Sequence, residues 1–208
     1  MELAHPSTNP GAGERPAGSP SQPSPRERLI AAATRLFCRY GVNSVGVDAI
    51  VAAAGTAKTT LYKLFGSKDA LVETVLTREG EKWRAWFLDE IDGGGGSAAA
   101  KLDRIAPALK RWFGAADFYG CPFINTVGEC DKADDRMRGL AIAHKKIVLE
   151  RLAALAAEAG YVDPGETAHT LGLIIDGAIV AALVTRNPDV ADTAGRACAA
   201  VLAAANKA

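Results

Sequence analysis

The chain has 208 residues, 49% of them apolar, and its 24 Lys+Arg balance 24 Asp+Glu, so the formal net charge is zero. That length amounts to one to two domains and can bury a sizeable core. A zero balance argues, for the chain taken whole, against a strongly basic nucleic-acid binder and against an acidic solvating chain. Forty-one alanines beside only 6% aromatics favour helices that pack closely. The four cysteines (Cys38, Cys121, Cys130, Cys198) form no CxxC pair, which excludes a zinc-ribbon spacing or a disulfide framework and fits a reducing cytoplasm. No run approaches 18 apolar residues without a charge, and the N-terminus lacks the basic flank and apolar stretch of a signal peptide, so no membrane partner is expected.

Residues 1–23 carry five prolines among Gly, Ser, Thr and Asn and read as a disordered tail. Helical order starts at Ser24-Pro25-Arg26-Glu27, a capping box with Pro at the first helical position. Leu29, Ile30, Ala33, Leu36 and Phe37 follow at helical spacing up to Tyr40-Gly41. A short helix spans Val47 to Ala54 behind Gly46 and closes at Gly55. A third, roughly Ala57 to Leu64, is expected to be capped by Thr56. Ser67 and Asp69 open a fourth that reaches about Ile91 before Gly93–Gly96. Ala98–Ala115 reads as one helix in which Pro107 introduces a kink. Gly120-Cys121-Pro122 starts a short helix, and a long one runs from about Asp134 to Ala159. Asp163-Pro164-Gly165-Glu166 is a second capping box whose helix reaches about Arg186, and Asn187-Pro188-Asp189 opens the last, to about Ala205. No stretch combines period-two alternation with β-branched enrichment, so the expected fold is all-α.

Two short helices joined by a tight Gly55-Thr56 turn have the layout of a helix-turn-helix, in which the first helix braces the second against the major groove. Dividing the chain changes the charge picture: residues 24–77 carry +3, the tail −1 and the remainder −2. A modestly basic N-terminal unit suits phosphate binding. The stretch Ala54-Gly55-Thr56-Ala57-Lys58-Thr59-Thr60-Leu61-Tyr62-Lys63-Leu64-Phe65-Gly66-Ser67-Lys68-Asp69-Ala70-Leu71, with Ala32-Ala33, Leu36-Phe37, Tyr40-Gly41, Ile50 and Ala53 upstream, resembles the signature of the TetR family of bacterial transcriptional regulators.

The resemblance implies a homodimer with an N-terminal three-helix DNA-binding domain (24–70) and a C-terminal helical domain for effector binding and dimerisation (71–208). It places Ala57, Lys58 and Thr59 at base edges and Thr60 and Tyr62 at phosphates or bases; Lys58 can donate to guanine and Thr59 can meet a thymine methyl. Lys68, at a helix start, is expected on a phosphate, and Arg26 and Arg28 on the flanking backbone. Lys63 reads equally as a contact or a solvated charge, and Tyr62 also has a structural reading. Gly46 replaces the frequent Ser or Thr, Thr59 a common glycine, and Lys63-Leu64 a common aromatic-His pair, which alters the phosphate contacts and the operator sequence implied.

In the C-terminal region Trp83, Trp86, Phe87, Trp112, Phe113 and Phe118 either line an apolar ligand cavity or simply form core. Gly120-Cys121-Pro122-Phe123-Ile124-Asn125-Thr126-Val127-Gly128-Glu129 resembles a stretch seen in one branch of the family, and Cys121, Asn125 and Glu129 share a helix face by their spacing of four. They read as ligand-orienting groups or as a cap, a buried hydrogen bond and a solvated charge. Asp176, in an apolar helix, requires a partner or a pocket. A metal site from His144, His169, Asp176 and Glu129 has no close ligand pair to anchor it, so neither metal nor cofactor is expected. Cys121 and Cys130 lie about 13 Å apart by helical rise, beyond disulfide reach. Gly172, Gly177, Ala178, Ala181 and Ala182, with Ala194, Ala197, Ala200 and Ala204 in the last helix, permit close helix approach and read as a dimer surface.

The expected protein is therefore a cytoplasmic, non-enzymatic repressor that leaves double-stranded operator DNA when a small-molecule effector binds, with helix 4 carrying the motion. Two other readings are a helical ligand-binding module without a regulatory role, and an enzyme using Cys121 as nucleophile, for which no His partner stands out.

Overall fold

The structure is a computed structural model that describes residues 23–131, 133 and 135–206. The expected disordered tail lies outside the described residues, apart from Pro23. Among the described residues ten helices follow one another: α1 (Pro25–Tyr40), α2 (Val47–Ala54), α3 (Lys58–Phe65), α4 (Lys68–Asp92), α5 (Ala98–Asp103), α6 (Ile105–Phe113), α7 (Pro122–Glu129), α8 (Asp135–Glu158), α9 (Pro164–Thr185) and α10 (Val190–Ala204). No strand occurs among the described residues, so the all-α expectation is met.

The caps explain where the helices begin. Ser24 Oγ accepts from Glu27 N at 3.2 Å and Pro25 occupies the first turn of α1. The Glu27 carboxylate turns away from the cap to Arg78 on α4, 2.6 Å away, and so ties the first helix to the fourth. Ser67 caps α4 through Ala70 N, and Asp163 caps α9 through Glu166 N. Thr56 does not cap α3. The turn holds Ala57 extended (φ −101°, ψ 153°), so the helix starts one residue later, and the Thr56 hydroxyl is buried with no hydrogen-bond partner among the described residues.

The single helix expected over 98–115 is two. Proline at 107 has no N–H to give the carbonyl of Asp103, and its ring crowds that carbonyl. Asp103 is accordingly the last residue of α5, and α6 starts after Arg104, whose guanidinium donates to Ile91 O and Gly95 O.

Leu29, Ile50, Leu61 and Leu71 are fully buried where α1 to α4 meet. The buried apolar residues continue from there through Phe87, Leu109, Leu152, Leu155 and Leu171 into the rest of the bundle. Helix α9 is long and apolar enough to cross a membrane by length and composition, and it packs against α8 and α10 with only part of its surface buried. Four of the nine small residues expected at a dimer surface are used in packing within the subunit, while Gly177, Ala200 and Ala204 are exposed. A Cβ on Gly172 would sit 2.6 Å from Leu149 of α8, and Ala178, Ala182 and Ala194 are buried within the subunit. The open face of α9 carries Gly177, one of the expected residues, together with Leu173, Val180 and Val184, with Leu173 75% and Val184 76% exposed.

Candidate functional site

Helix α2 buries Ile50, Val51 and Ala54, α3 buries Leu61, and the αL residue Gly55 (φ 58°) makes the turn between them. This leaves Ala57, Lys58, Thr59, Tyr62 and Lys63 exposed on one surface, with Thr60 half-buried. Tyr62 is 45% exposed, so its ring is not a core residue. Lys58 Nζ stands 3.1 Å from Asp48 of α2. Both groups face water, where such a pair contributes little and can exchange for a phosphate or a base edge.

Three other basic residues have structural partners. Arg28 donates to Pro23 O, Ala54 O and Gly55 O, and so closes the carbonyl end of α2. Arg26 lies over the Phe65 ring at 5.3 Å. Lys68 Nζ donates to Val42 O at 2.5 Å, so a phosphate contact there requires exchange of that bond.

Glu129 does not share the cavity described below with Cys121 and Asn125. Its carboxylate accepts from Asn43 N at 2.9 Å, and its carbonyl accepts from Asn43 Nδ2 at 2.7 Å. The α1–α2 connection can come this close because Gly41 has φ +83° and no side chain; a Cβ would fall 2.5 Å from Glu129 Oε1. The C-terminal end of α7 is thus fastened beside α2.

A cavity of about 690 Å³ opens between α4, α6, α7, α8 and α9. All three tryptophans of the chain (Trp83, Trp86, Trp112) line it, with Cys121, Asn125 and Asp176. Phe87 and Phe113 do not line it: Phe87 is fully buried and stacks under Trp83 at 4.7 Å, and Phe113 is buried behind Trp112 at 5.8 Å. Phe118 meets Trp112 edge-on at 5.1 Å. Asp176 finds both a partner and a pocket, pairing with Lys145 of α8 in the cavity wall. Asn125 Nδ2 donates to Tyr119 O at 2.8 Å and so holds the loop before α7.

Sequence reasoning did not single out Lys145 or Arg84. His144 entered only as an imagined ligand of a metal. In the structure Arg84 Nη1 lies 2.8 Å from His144 Nδ1, and the imidazole stacks on Phe123 at 4.2 Å. A guanidinium only donates, so Nδ1 is the acceptor and the ring proton sits on Nε2. Burial, then the charges of Arg84 and Lys145, pushes the imidazole down to about 3. The metal-site residues do not meet: His144 faces Arg84, Asp176 faces Lys145 and Glu129 faces Asn43, and no three potential ligands cluster among the described residues.

Burial pushes the Cys121 thiol up, and Cys38 is pushed up to about 11 by burial and then by Glu79 and Asp117. Neither is a thiolate at neutral pH, as a nucleophile would be. Cys121 and Cys130 cap opposite ends of α7, and no disulfide joins any of the four cysteines among the described residues.

Residues 29–75 match the family model for bacterial regulatory proteins of the tetR family. A TetR-family transcriptional regulator from Streptomyces coelicolor shares 30% identity, with 86% of this chain and 94% of that one superposing at a TM-score of 0.79. A TetR-type regulator from Streptomyces avermitilis shares 31% over 89% of this chain and all of the other, also at 0.79. An HTH-type transcriptional regulator of Mycobacterium tuberculosis is 27% identical over 78% of this chain and 86% of its own length. With an exposed helix-turn-helix surface and a family match over the residues that build it, the chain belongs to the TetR family and is a DNA-binding transcriptional regulator.

Proposed function

We propose that the protein is a cytoplasmic homodimeric repressor, with residues 24–70 binding operator DNA and 71–208 binding an effector and the second subunit. The observation that carries this reading is α7. Its first turn, with Cys121, Phe123 and Asn125, is a wall of the cavity, and its last residue, Glu129, holds Asn43 beside α2. A ligand that shifts α7 therefore shifts the connection that positions the recognition helix. In a dimer, half-sites about 34–36 Å apart demand a fixed spacing of the two α3 helices, so a small displacement costs DNA affinity. Helix α4 is the second link, through Lys68 to Val42 and Arg78 to Glu27.

Ala57, Lys58, Thr59, Thr60, Tyr62 and Lys63 form the operator-reading surface in this reading, and Lys68 joins it on exchanging Val42 O for a phosphate. The exposed apolar stripe on α9 supports dimerisation through the last two helices: Leu173, Gly177, Val180 and Val184 are spaced by four, three and four, which is one helix face. The protonated state of Cys121 speaks against a catalytic role for it.

The test is anisotropy of a labelled duplex selected by the protein from a random-sequence library, titrated with and without compounds that quench the tryptophans. Release of DNA by a quenching compound supports the reading; cavity ligands that leave the DNA affinity unchanged overturn it.

A further inference from the structure

The polar groups around the cavity are not evenly distributed. At the end formed by α4 and α8, two donors stand without an acceptor among the described residues, while the carboxylate of Glu79 on α4 is taken up by Lys82. The Trp83 indole N–H is buried and has no hydrogen-bond partner among the described residues. A buried donor left unpaired is unfavourable and rare in folded proteins. His144, fixed by Arg84 as the Nε2–H tautomer, offers a second donor, and no protein acceptor meets Nε2 among the described residues. The two rings stand 5.7 Å apart between centroids, close enough to address one acceptor atom or two neighbouring ones.

The rest of the wall recognises shape. Trp83, Trp86 and Trp112 face one another at 6.5 and 5.2 Å and present flat faces and edges to a planar guest. The charges inside are paired. Lys145 and Asp176 are joined in the wall, Lys82 and Glu79 pair in the lining at 3.3 Å, and the remaining carboxylate of the lining, Asp117, is exposed to solvent. A charged guest would have to break such a pair or enter an apolar space unpaired, and both are costly.

Resting on the reading of this cavity as the effector site, we propose that its ligand is an uncharged, planar aromatic compound bearing a carbonyl-type acceptor, stacked among the tryptophans with the acceptor directed at Trp83 and His144. Such a guest satisfies both open donors and leaves both ion pairs intact. Gly80 contributes by having no side chain: a Cβ there would lie 2.8 Å from Phe123 and 3.0 Å from His144 Nδ1, displacing the ring that carries the second donor.

A matched pair of probes tests the proposal on the full-length protein. 9-Fluorenone and fluorene share one tricyclic shape, and only the first has a carbonyl; 9-aminoacridine supplies a planar cation. Because every tryptophan of the chain lines the cavity, quenching of intrinsic fluorescence reports binding there. Fluorene is the more apolar, so a cavity that recognises only shape and apolarity favours it. The expected result is that fluorenone binds at least about tenfold tighter, because a site built around donors rejects the analogue that leaves them unpaired. Trp83→Phe keeps the ring and removes the N–H, and His144→Phe removes the other donor; each should bring the two affinities closer together, and Trp83→Phe serves alone if the second variant folds poorly. Equal wild-type affinities, a preference unchanged in Trp83→Phe, or tighter binding of the cation overturns the proposal.

Duplex anisotropy on the same samples separates it from the reading beneath. Preferred fluorenone binding without DNA release supports the ligand class and overturns the effector role. DNA release by the cation alone overturns the class and supports the effector role.

Discussion

The link between Glu129 and Asn43 can be broken one bond at a time. Glu129→Ala removes the carboxylate that accepts from Asn43 N, and Asn43→Ala removes the amide that donates to Glu129 O. Each bond is worth about 0.5–1.5 kcal/mol, so the pair supplies about 1–3 kcal/mol, the size of a typical coupling free energy between two sites. The quantity to measure is the ratio of DNA affinities without and with a saturating cavity ligand, by duplex anisotropy. Each single variant should shrink that ratio by up to about tenfold, and the double variant by more. Ligand-free DNA affinity should stay within about threefold, because neither side chain lies on the α3 surface and peripheral substitutions rarely exceed about 0.5 kcal/mol. Glu129→Gln keeps an acceptor and should respond nearly as the wild type does. If the double variant releases DNA with an unchanged ratio, α7 does not carry the signal, and the link is only a packing contact.

Four further outcomes follow from the geometry. Lys58→Ala and Tyr62→Ala should each weaken specific DNA binding by about 1–3 kcal/mol while leaving the oligomeric state unchanged; full retention of affinity in both would move the operator-reading surface elsewhere. Leu173→Glu with Val184→Glu should yield monomers in sedimentation velocity, and a persisting dimer would exclude the open face of α9 as the interface. His144 is held at about 3 in the fold against about 6.5 unfolded. Below pH 6.5 the unfolded chain therefore binds the extra proton, and stability falls as the pH drops. Between pH 7.0 and 5.5 urea unfolding should show His144→Phe losing about 1 kcal/mol less than wild type. Finally, in a Cys130→Ser variant thiolate absorbance of the native protein should not rise below about pH 9, because burial raises the other three thiols, Cys38, Cys121 and Cys198, above the ordinary value.

Much of the fold was legible because local signals decide it. Ser24, Ser67 and Asp163 cap helices wherever their own side chains can reach a backbone N–H three residues on, and no distant residue is needed. The sequence signals failed where a tertiary contact decided the outcome. Thr56 has the right chemistry for a cap, but the packing of α2 on α3 sets the turn and buries its hydroxyl. The small residues of α9 mark close approach without saying to which neighbour. Gly172 meets Leu149 of α8 in the same chain, Ala178 and Ala182 are buried within the subunit, and Gly177 lies on the outward face with Leu173, Val180 and Val184, whose exposure only the assembled bundle reveals. The tryptophans were legible as candidates for a cavity wall, but the cavity's polar groups were not, because Lys145 and Arg84 stand 31 and 60 residues away from the partners they meet, Asp176 and His144. Glu129 was grouped with Cys121 and Asn125 by its spacing of four. One helical face extends far enough along α7 for its first turn to meet the cavity and its last to meet α2, so equal spacing did not mean a common environment.

Two links from the bundle converge on three residues. Lys68 at the start of α4 holds Val42 O, Glu129 at the end of α7 holds Asn43 N, and Gly41 between α1 and these contacts has a backbone only glycine adopts easily. Helix α4 carries Trp83 and Trp86 into the cavity, and α7 carries Cys121 and Asn125, so both walls of one cavity end on the same short connection. A ligand that moved only one wall would set Lys68 and Glu129 against each other, and their shared segment would resist. A ligand that moves both in one sense shifts residues 41–43 as a unit, and α2 and α3 follow because Arg28 binds the end of α2 to α1. The geometry thus favours a guest that spans the cavity from the α4 tryptophans to α7 over one that fills a single corner, which is a further reason to expect a flat ligand of several fused rings.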